Sequence, residues 1–348
     1  MSIAAPSRTL LVTGAAGFIG ANFVHYWREQ HPDDTVVALD ALTYAGNEEN
    51  LAGVRDGIVF VHADIGDGDR VAKILRDHRV RTVVNFAAES HNSLAVLDPG
   101  RFFHTNVMGT QRLLEASLRH GVERFHHIST CEVYGDLALD STDAFHEDSP
   151  YRPRTPYNAS KAGADHAVRA YHETFGLPVT VTNCANNYGP LQFPEKVIPL
   201  FVTNALRGRS LPVYASRHHR REWIHVSDHC RAIDMVLADG VPGETYHVGT
   251  GAEASVQDIA DAVLDELELP TSLQTTVADR PGHDRRYLLD STKIRRDLGW
   301  RPTVAFGAGL RETIRWYRDH PEWWEPLLGR RPVVEDPAVW QPSGAGAR

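Results

Sequence analysis

The hydrophobic pattern begins with a short apolar run, Thr9–Thr13 (TLLVT), that stops at a glycine. Similar β-rich runs recur at Thr35–Leu39 (TVVAL), Ile58–Val61, Thr82–Phe86 (TVVNF), Arg124–Ile128 and Val179–Asn183. Between them the apolar positions switch to the three- and four-residue spacing of a helix with one buried face, over Phe18–Gln30, Asp69–His78, Arg101–His120 and Tyr157–Phe175. This alternation predicts an α/β fold, a Rossmann-type doubly wound parallel sheet with helices on both faces. Beyond Tyr188-Gly189-Pro190 the regularity weakens, with helices predicted near Ile198–Leu206, Ser227–Leu237, Val256–Leu267 and Gly307–Arg318. The expected organisation is a sheet domain over 1–190, a smaller α/β substrate domain over 191–330 and a loose tail over 331–348. The ligand cleft would lie between the two domains.

Composition narrows the function classes. The 348 residues carry a net charge of −9, which argues against a nucleic-acid partner, since such surfaces need a basic excess. No stretch approaches the roughly 20 apolar residues of a membrane span. Met1 to Arg8 contains no apolar run before a cleavage site, so a cytoplasmic location and no membrane partner are expected. Cys131, Cys184 and Cys230 are widely spaced and odd in number, which indicates neither a disulfide framework nor a zinc knuckle. The histidine doublets His126-His127 and His218-His219 would point to opposite faces of a strand, and no metal is expected.

The segment TLLVTGAAGFIG places Gly14, Gly17 and Gly20 between a strand and a helix whose first turn holds Phe18 and Ile19. Such glycines permit a tight turn and close approach of the backbone to a pyrophosphate, which then faces the helix N-terminus. An ordinary turn also tolerates glycines, but here both flanks fit a dinucleotide site. Asp40 ends the second strand, where a carboxylate accepts hydrogen bonds from ribose hydroxyls and repels a 2′-phosphate, favouring NAD over NADP. Asp64 and Ile65, after the third strand, stand where an adenine edge would lie.

In TPYNASK, Tyr157 and Lys161 are four apart on a predicted helix and share a face. A lysine ammonium and a cationic nicotinamide would lower the tyrosine pKa from its reference of ~10. The phenolate could then take a proton from a sugar hydroxyl while hydride leaves the same carbon. Tyr–Lys pairs are common on helix surfaces; the glycine fingerprint and Ser129-Thr130, ending the preceding strand, select the catalytic reading.

Taken together, GAAGFIG, DALTYAGN (Asp40–Asn47), NFAAESH (Asn85–His91), HHISTCEVYGD, YNASK, TNCANNYGP (Thr182–Pro190), FPEKVIP (Phe193–Pro199) and RPGHDRRY (Arg280–Tyr287) resemble the extended short-chain dehydrogenase/reductases. Within them the chain is most similar to the dTDP-glucose 4,6-dehydratases, over nearly its whole length. The resemblance implies NAD as cofactor and a nucleotide-diphosphate sugar as substrate. It places Ala87, Ala88 and Ser90 at the NAD site, and His91, Asn187, Lys196, Arg221 and Arg280 around the substrate. It also implies a homodimer built on the helices Arg101–His120 and Tyr157–Phe175.

Two departures from the family pattern shape the expected reaction. Where the family usually reads Thr-Asp-Glu, with the aspartate protonating the leaving 6-hydroxyl and the glutamate removing the C5 proton, this chain has Thr130-Cys131-Glu132. Where it commonly has Val-Asp-Arg-Ser, this chain has Asn92-Ser93-Leu94-Ala95. An aspartate about 4 Å from a substrate carboxylate would cost ~4 kcal/mol at an effective dielectric near 20. A neutral Cys131 removes that repulsion, and Asn92 or Ser93 could donate to the carboxylate; UDP-glucuronate decarboxylases are similar in carrying a small neutral residue there. The expectation is therefore decarboxylation of a nucleotide hexuronate after oxidation at C4. The alternative is 4,6-dehydration of dTDP-glucose, with Cys131 replacing the acid, and 4-epimerisation comes third. An NAD-binding regulator would need none of Thr130, Glu132, Tyr157 and Lys161.

Overall fold

The computed structural model describes residues 7–330, so the tail expected over 331–348 lies outside the described residues. The first half runs β1 (Thr9–Thr13), α1 (Phe18–Gln30), β2 (Thr35–Asp40), β3 (Ile58–His62), α2 (Gly68–Asp77), β4 (Thr82–Asn85), α3 (Asn92–Leu97) and α4 (Pro99–Phe102). It continues through a π-helical segment (Phe103–Gly109) into α5 (Thr110–His120), β5 (Arg124–Thr130), α6 (Pro156–Phe175) and β6 (Val179–Cys184). The second half holds β7 (Asn186–Tyr188), α7 (Val197–Leu206), β8 (Leu211–Tyr214), β9 (Arg220–His225), α8 (Val226–Asp239), β10 (Thr245–Val248) and β11 (Glu253–Ser255). It then runs through α9 (Val256–Glu266), β12 (Gln274–Val277), α10 (Thr292–Leu298) and α11 (Phe306–Asp319).

Seven strands form one parallel sheet in the order β10-β6-β5-β4-β1-β2-β3. The chain reverses direction across the sheet between β1 and β4, and open α/β sheets bind ligands at such a switch point. Side chains alternate across the sheet: Leu11, Val37 and Val83 pack on one face with Leu113, Leu114 and Val168. Leu10, Val12 and Val36 pack on the other with Phe23, Trp27, Cys230 and Ile233.

Two expectations are corrected here. A single cut at residue 190 does not divide the molecule, because α8 packs in the core beside α1 and β10 pairs with β6. Every residue of β6 is buried, so its outer edge needs a partner strand. The helix expected over Arg101–His120 is also not continuous. In its π turn, Asn106 donates to Ser160 Oγ (2.8 Å) and to Glu89 O (3.0 Å), and accepts from Glu89 N (2.8 Å). The widened turn thus ties the loop after β4 to α6.

The smaller layer combines the sheet β11-β9-β7, the pair β12-β8, and α7, α9 and α11 around Tyr188, Phe201, Trp223, Ile314 and Tyr317. Among the described residues no helix is long and apolar enough to cross a membrane.

Candidate active site

A cavity of about 380 Å³ opens at the C-terminal ends of β1, β4 and β5. At one end it is lined by Gly14, Gly17, Phe18, Ile19 and Gly20, by Asp40, Asp64 and Ile65, and by Ala87, Ala88 and Ser90. Gly14 has φ +65°, and a Cβ there would lie 2.7 Å from the Ala87 backbone nitrogen. A Cβ on Gly20 would overlap the Gly14 carbonyl oxygen. This backbone cradle, at the N-terminus of α1, fits a dinucleotide pyrophosphate. Asp40 has a structural task as well: its carboxylate accepts from Ala16 N (2.9 Å) and Leu42 N (2.8 Å), and burial raises its pKa. Asp64 accepts from Gly66 N (2.7 Å) at the rim.

Thr130, Glu132, Tyr157 and Lys161 line the other end. Thr155 caps α6 by accepting from Asn158 N, and Pro156 takes the first turn, where its missing N–H costs nothing. Lys161 donates to Ile128 O (2.7 Å) and lies 3.3 Å from His127 Nε2. One turn further, Asp165 accepts from Ser129 Oγ (2.7 Å) and Tyr151 OH (2.8 Å), with His127 Nε2 at 3.4 Å. Burial lowers the Lys161 pKa, and Asp165 opposes that shift. Burial alone would raise Asp165, yet the hydrogen bond and charge of His127 and the charge of Lys161 hold it below the usual carboxylate range. Burial, then Lys161, pushes His127 down to about 4, with Asp165 opposing. Sequence reading missed Asp165, Ser129 as its donor and His127, although residues 157, 161 and 165 keep the four-residue spacing that would have pointed to the first.

In the protein alone the Tyr157 phenol is shifted upward. Burial and then the Glu132 charge raise its pKa, with a hydrogen bond from Thr130 opposing them. The protein alone therefore keeps this group neutral.

The residues that motivated a uronate substrate are placed elsewhere. Cys131 does not line the cavity; it is 1% exposed, in an apolar cluster with Val133, Tyr134, Ala162, Tyr287 and Leu289. Burial and then Glu132 raise its pKa, so it remains a thiol. Asn92 does line the cavity, but it donates to Glu132 Oε2 (3.0 Å) and accepts from Thr155 Oγ1 (3.1 Å). Ser93 is buried in the first turn of α3, where its N–H donates to His91 Nδ1 (3.2 Å). His91 caps that helix behind the cavity wall, with Glu195 3.6 Å from its Nε2.

Asn187 and Lys196 reach the cavity; Lys196 donates to Ser90 O (2.7 Å), and Asn187 Oδ1 lies 3.0 Å from His229 Nδ1. Arg221 and Arg280 stand behind it. Arg221 lies over the Tyr287 ring at 4.7 Å and donates to Asp284 O (2.7 Å). Arg280 Nη1 is buried without a hydrogen-bond partner among the described residues, an orphan donor suited to an anion. Tyr44, donating to Glu195 (2.9 Å), Phe193 and Trp223 also line the cavity; the first and second lie within the motifs DALTYAGN and FPEKVIP but were not singled out, and Trp223 carried no sequence signal. His225 and His229 stand one helical turn apart, but His225 caps α8 and His229 faces Asn187; no cluster of three metal-ligating side chains occurs among the described residues.

Residues 11–313 match the family model described as GDP-mannose 4,6 dehydratase. A dTDP-glucose 4,6-dehydratase of Streptomyces niveus is 48% identical over 343 residues, covering 97% of this chain and 99% of the relative. The structure of a dTDP-glucose 4,6-dehydratase from Streptomyces venezuelae, solved with NAD bound, shares 50% identity and a TM-score of 0.89, covering 92% of this chain and 100% of that one. A UDP-glucuronic acid 4-epimerase from Bacillus cereus, solved with UDP-glucuronic acid and NAD, is more distant at 25% identity and a TM-score of 0.83, covering 90% of this chain and 99% of that one. These findings overturn the decarboxylase expectation, because the relatives near half identity over almost the whole length are dehydratases of dTDP-glucose. The geometry agrees: Cys131 is absent from the cavity lining, and Asn92 already donates to Glu132.

Proposed function

The chain belongs to the dTDP-glucose 4,6-dehydratase-like extended short-chain dehydrogenase/reductases, and from that premise we propose that it converts dTDP-glucose to dTDP-4-keto-6-deoxyglucose as an NAD-dependent hydro-lyase. The observation that carries the reading is Tyr157, Lys161, Thr130 and Glu132 at one end of a cavity whose other end is the glycine cradle. Gly14, Gly17, Gly20 and Asp40 would hold NAD, with Asp64, Ile65, Ala87, Ala88 and Ser90 around it. Bound NAD supplies the hydride acceptor and a positive ring charge near the phenol. Tyr157 takes the proton of the C4 hydroxyl; a positive ring charge and the Lys161 ammonium would favour the phenolate against the burial that raises its pKa. Glu132 removes the C5 proton, which the C4 ketone acidifies. Asn187, Lys196, Arg221 and Arg280 would meet the nucleotide diphosphate, where guanidinium and ammonium groups neutralise phosphate charge.

The test is product analysis by NMR after incubation with NAD and dTDP-glucose. A 4-keto-6-deoxyhexose nucleotide with no net NADH accumulation supports the reading, and unreacted dTDP-glucose overturns it. We also propose a homodimer across the π-helical segment with α5 and α6, because Phe103 and Met108 in the π-helical segment and Phe175 at the end of α6 leave 43%, 49% and 56% of their surface exposed. Light scattering after gel filtration checks it, and a monomer at micromolar concentration refutes it.

A further inference from the structure

Elimination of water from the 4-keto sugar needs two proton movements, one off C5 and one onto the oxygen leaving C6. In this chain the side chain before Glu132 is a thiol buried among apolar neighbours and absent from the cavity lining. The carboxyl lining that part of the cavity beside Tyr157 is Glu132 itself.

The carboxyl is also held in an ordered way. The Thr155 hydroxyl accepts the Asn158 N–H (3.2 Å), so its own proton is free to go to Asn92 Oδ1 (3.1 Å). That fixes the amide orientation and turns Asn92 Nδ2 onto Glu132 Oε2 (3.0 Å). Among the described residues no hydrogen bond is made to the other oxygen, Oε1, which is left for the substrate.

We propose that Glu132 alone moves both protons of the elimination, with Asn92 as the positioning residue that ties down one oxygen and presents the other. The inference rests on the dehydratase reading. Oε1 takes the proton from C5, and the electron pair of that C–H bond forms the C5=C6 double bond. The C6–O bond breaks, and its oxygen departs as water carrying the proton Glu132 has just acquired. Glu132 ends ionised, as it began, and no second acid is consumed. C5 and C6 are adjacent, so one carboxyl on one face of the sugar can serve both. Burial of Glu132, which raises its pKa, suits a group that must give its proton back. Other groups face it: Arg280, Arg221, Asp284 and Tyr287 from the C-terminal segment, Tyr157 from α6, and Cys131 and Cys184 from the ends of β5 and β6.

The experiment compares the wild type, Cys131→Ala, Cys131→Ser and Asn92→Ala on dTDP-glucose in the NAD-loaded enzyme. Cys131→Ser is nearly isosteric and guards against a packing defect. Both cysteine variants are expected to keep kcat within about threefold, with an unchanged pH profile. A thiol acting as general acid would instead contribute about 10²–10⁴-fold. Asn92→Ala should lower kcat about tenfold with little change in KM. It should also move the acidic limb of the kcat profile to higher pH, because the lost hydrogen bond favoured the ionised carboxyl. A hundredfold loss in Cys131→Ser, with NAD affinity and thermal midpoint intact, would overturn the proposal, as would an Asn92→Ala profile that does not move. A wild type inert on dTDP-glucose would instead overturn the reading beneath it.

Discussion

Replacing Asp165 with Asn removes one negative charge at almost constant volume. Asp165 is 0% exposed and Lys161 4%, so the ammonium would be left buried without its counter-charge. Breaking a buried ion pair in direct contact typically costs about 3–5 kcal/mol, a large part of a ~5–15 kcal/mol total stability; here His127 stands between the two charges, 3.3 Å from Lys161 Nζ and 3.4 Å from Asp165 Oδ1, which favours the low end of that range. Two hydroxyl donors, Ser129 and Tyr151, can still find an acceptor on the Asn oxygen, which places the expected loss near 3 kcal/mol. The lysine can relieve the cost by releasing its proton, since burial already lowers its pKa and Asp165 is the main opposing influence. The alkaline limb of kcat should therefore move to lower pH in the variant. The folded pKa of Asp165 is below its ordinary value of 3.8, so its stabilisation is fully present above that pH and is lost only as pH falls through the folded value. Urea unfolding at pH 7 thus reads the whole effect. A loss under ~1 kcal/mol together with an unmoved alkaline limb would refute the assignment of Asp165 as the counter-ion of Lys161.

Other perturbations separate the remaining parts of the account. Gly20→Ala should weaken NAD binding at least tenfold by titration calorimetry, because the new Cβ meets the backbone Gly14 oxygen; Gly17→Ala should be milder, its Cβ lying 3.3 Å from the same oxygen. Tyr157→Phe should retain NAD affinity and lose about 10²–10⁴-fold in kcat, and single-turnover absorbance at 340 nm should show no NADH forming. His247, between Tyr134 OH (2.7 Å) and Phe145 O (3.1 Å), has its pKa pushed down to about 3 by burial. Its stabilisation is present above the ordinary value of 6.5 and is lost as pH falls from there towards 3. From pH 7 to 5 the wild type should lose about 2 kcal/mol more than His247→Gln in urea unfolding; parallel losses would refute it.

The sheet was legible because its signals are local. Val-rich runs with helical spacing between them gave the strands within a residue or two, and the helix Phe18–Gln30 was found at its full length. The glycine loop was legible because backbone geometry leaves only glycine at residues 14 and 20. Long-range placement was not legible. Nothing in the sequence near Thr245 says that this strand closes the β6 edge, and the π turn at Asn106 depends on partners 17 and 54 residues away. The same limit misled the reaction assignment. Cys131 and Asn92 were read as lining a pocket for a charged sugar, whereas the turn after β5 buries one among apolar side chains and Thr155 turns the other towards Glu132. The burial that raises the Tyr157 pKa in the protein alone was equally illegible, since it is set by the whole fold.

The central claim is that oxidation at C4 and reduction at C6 are the two halves of one reaction on a dTDP-hexose. Incubating the NAD-loaded enzyme with dTDP-glucose carrying deuterium at C4, and reading the product by NMR and mass spectrometry, tests it directly. The account predicts a 4-keto-6-deoxy product with the deuterium in its C6 methyl group. Deuterium still on C4, a product that has kept its 6-hydroxyl, or label left on the reduced cofactor would contradict it.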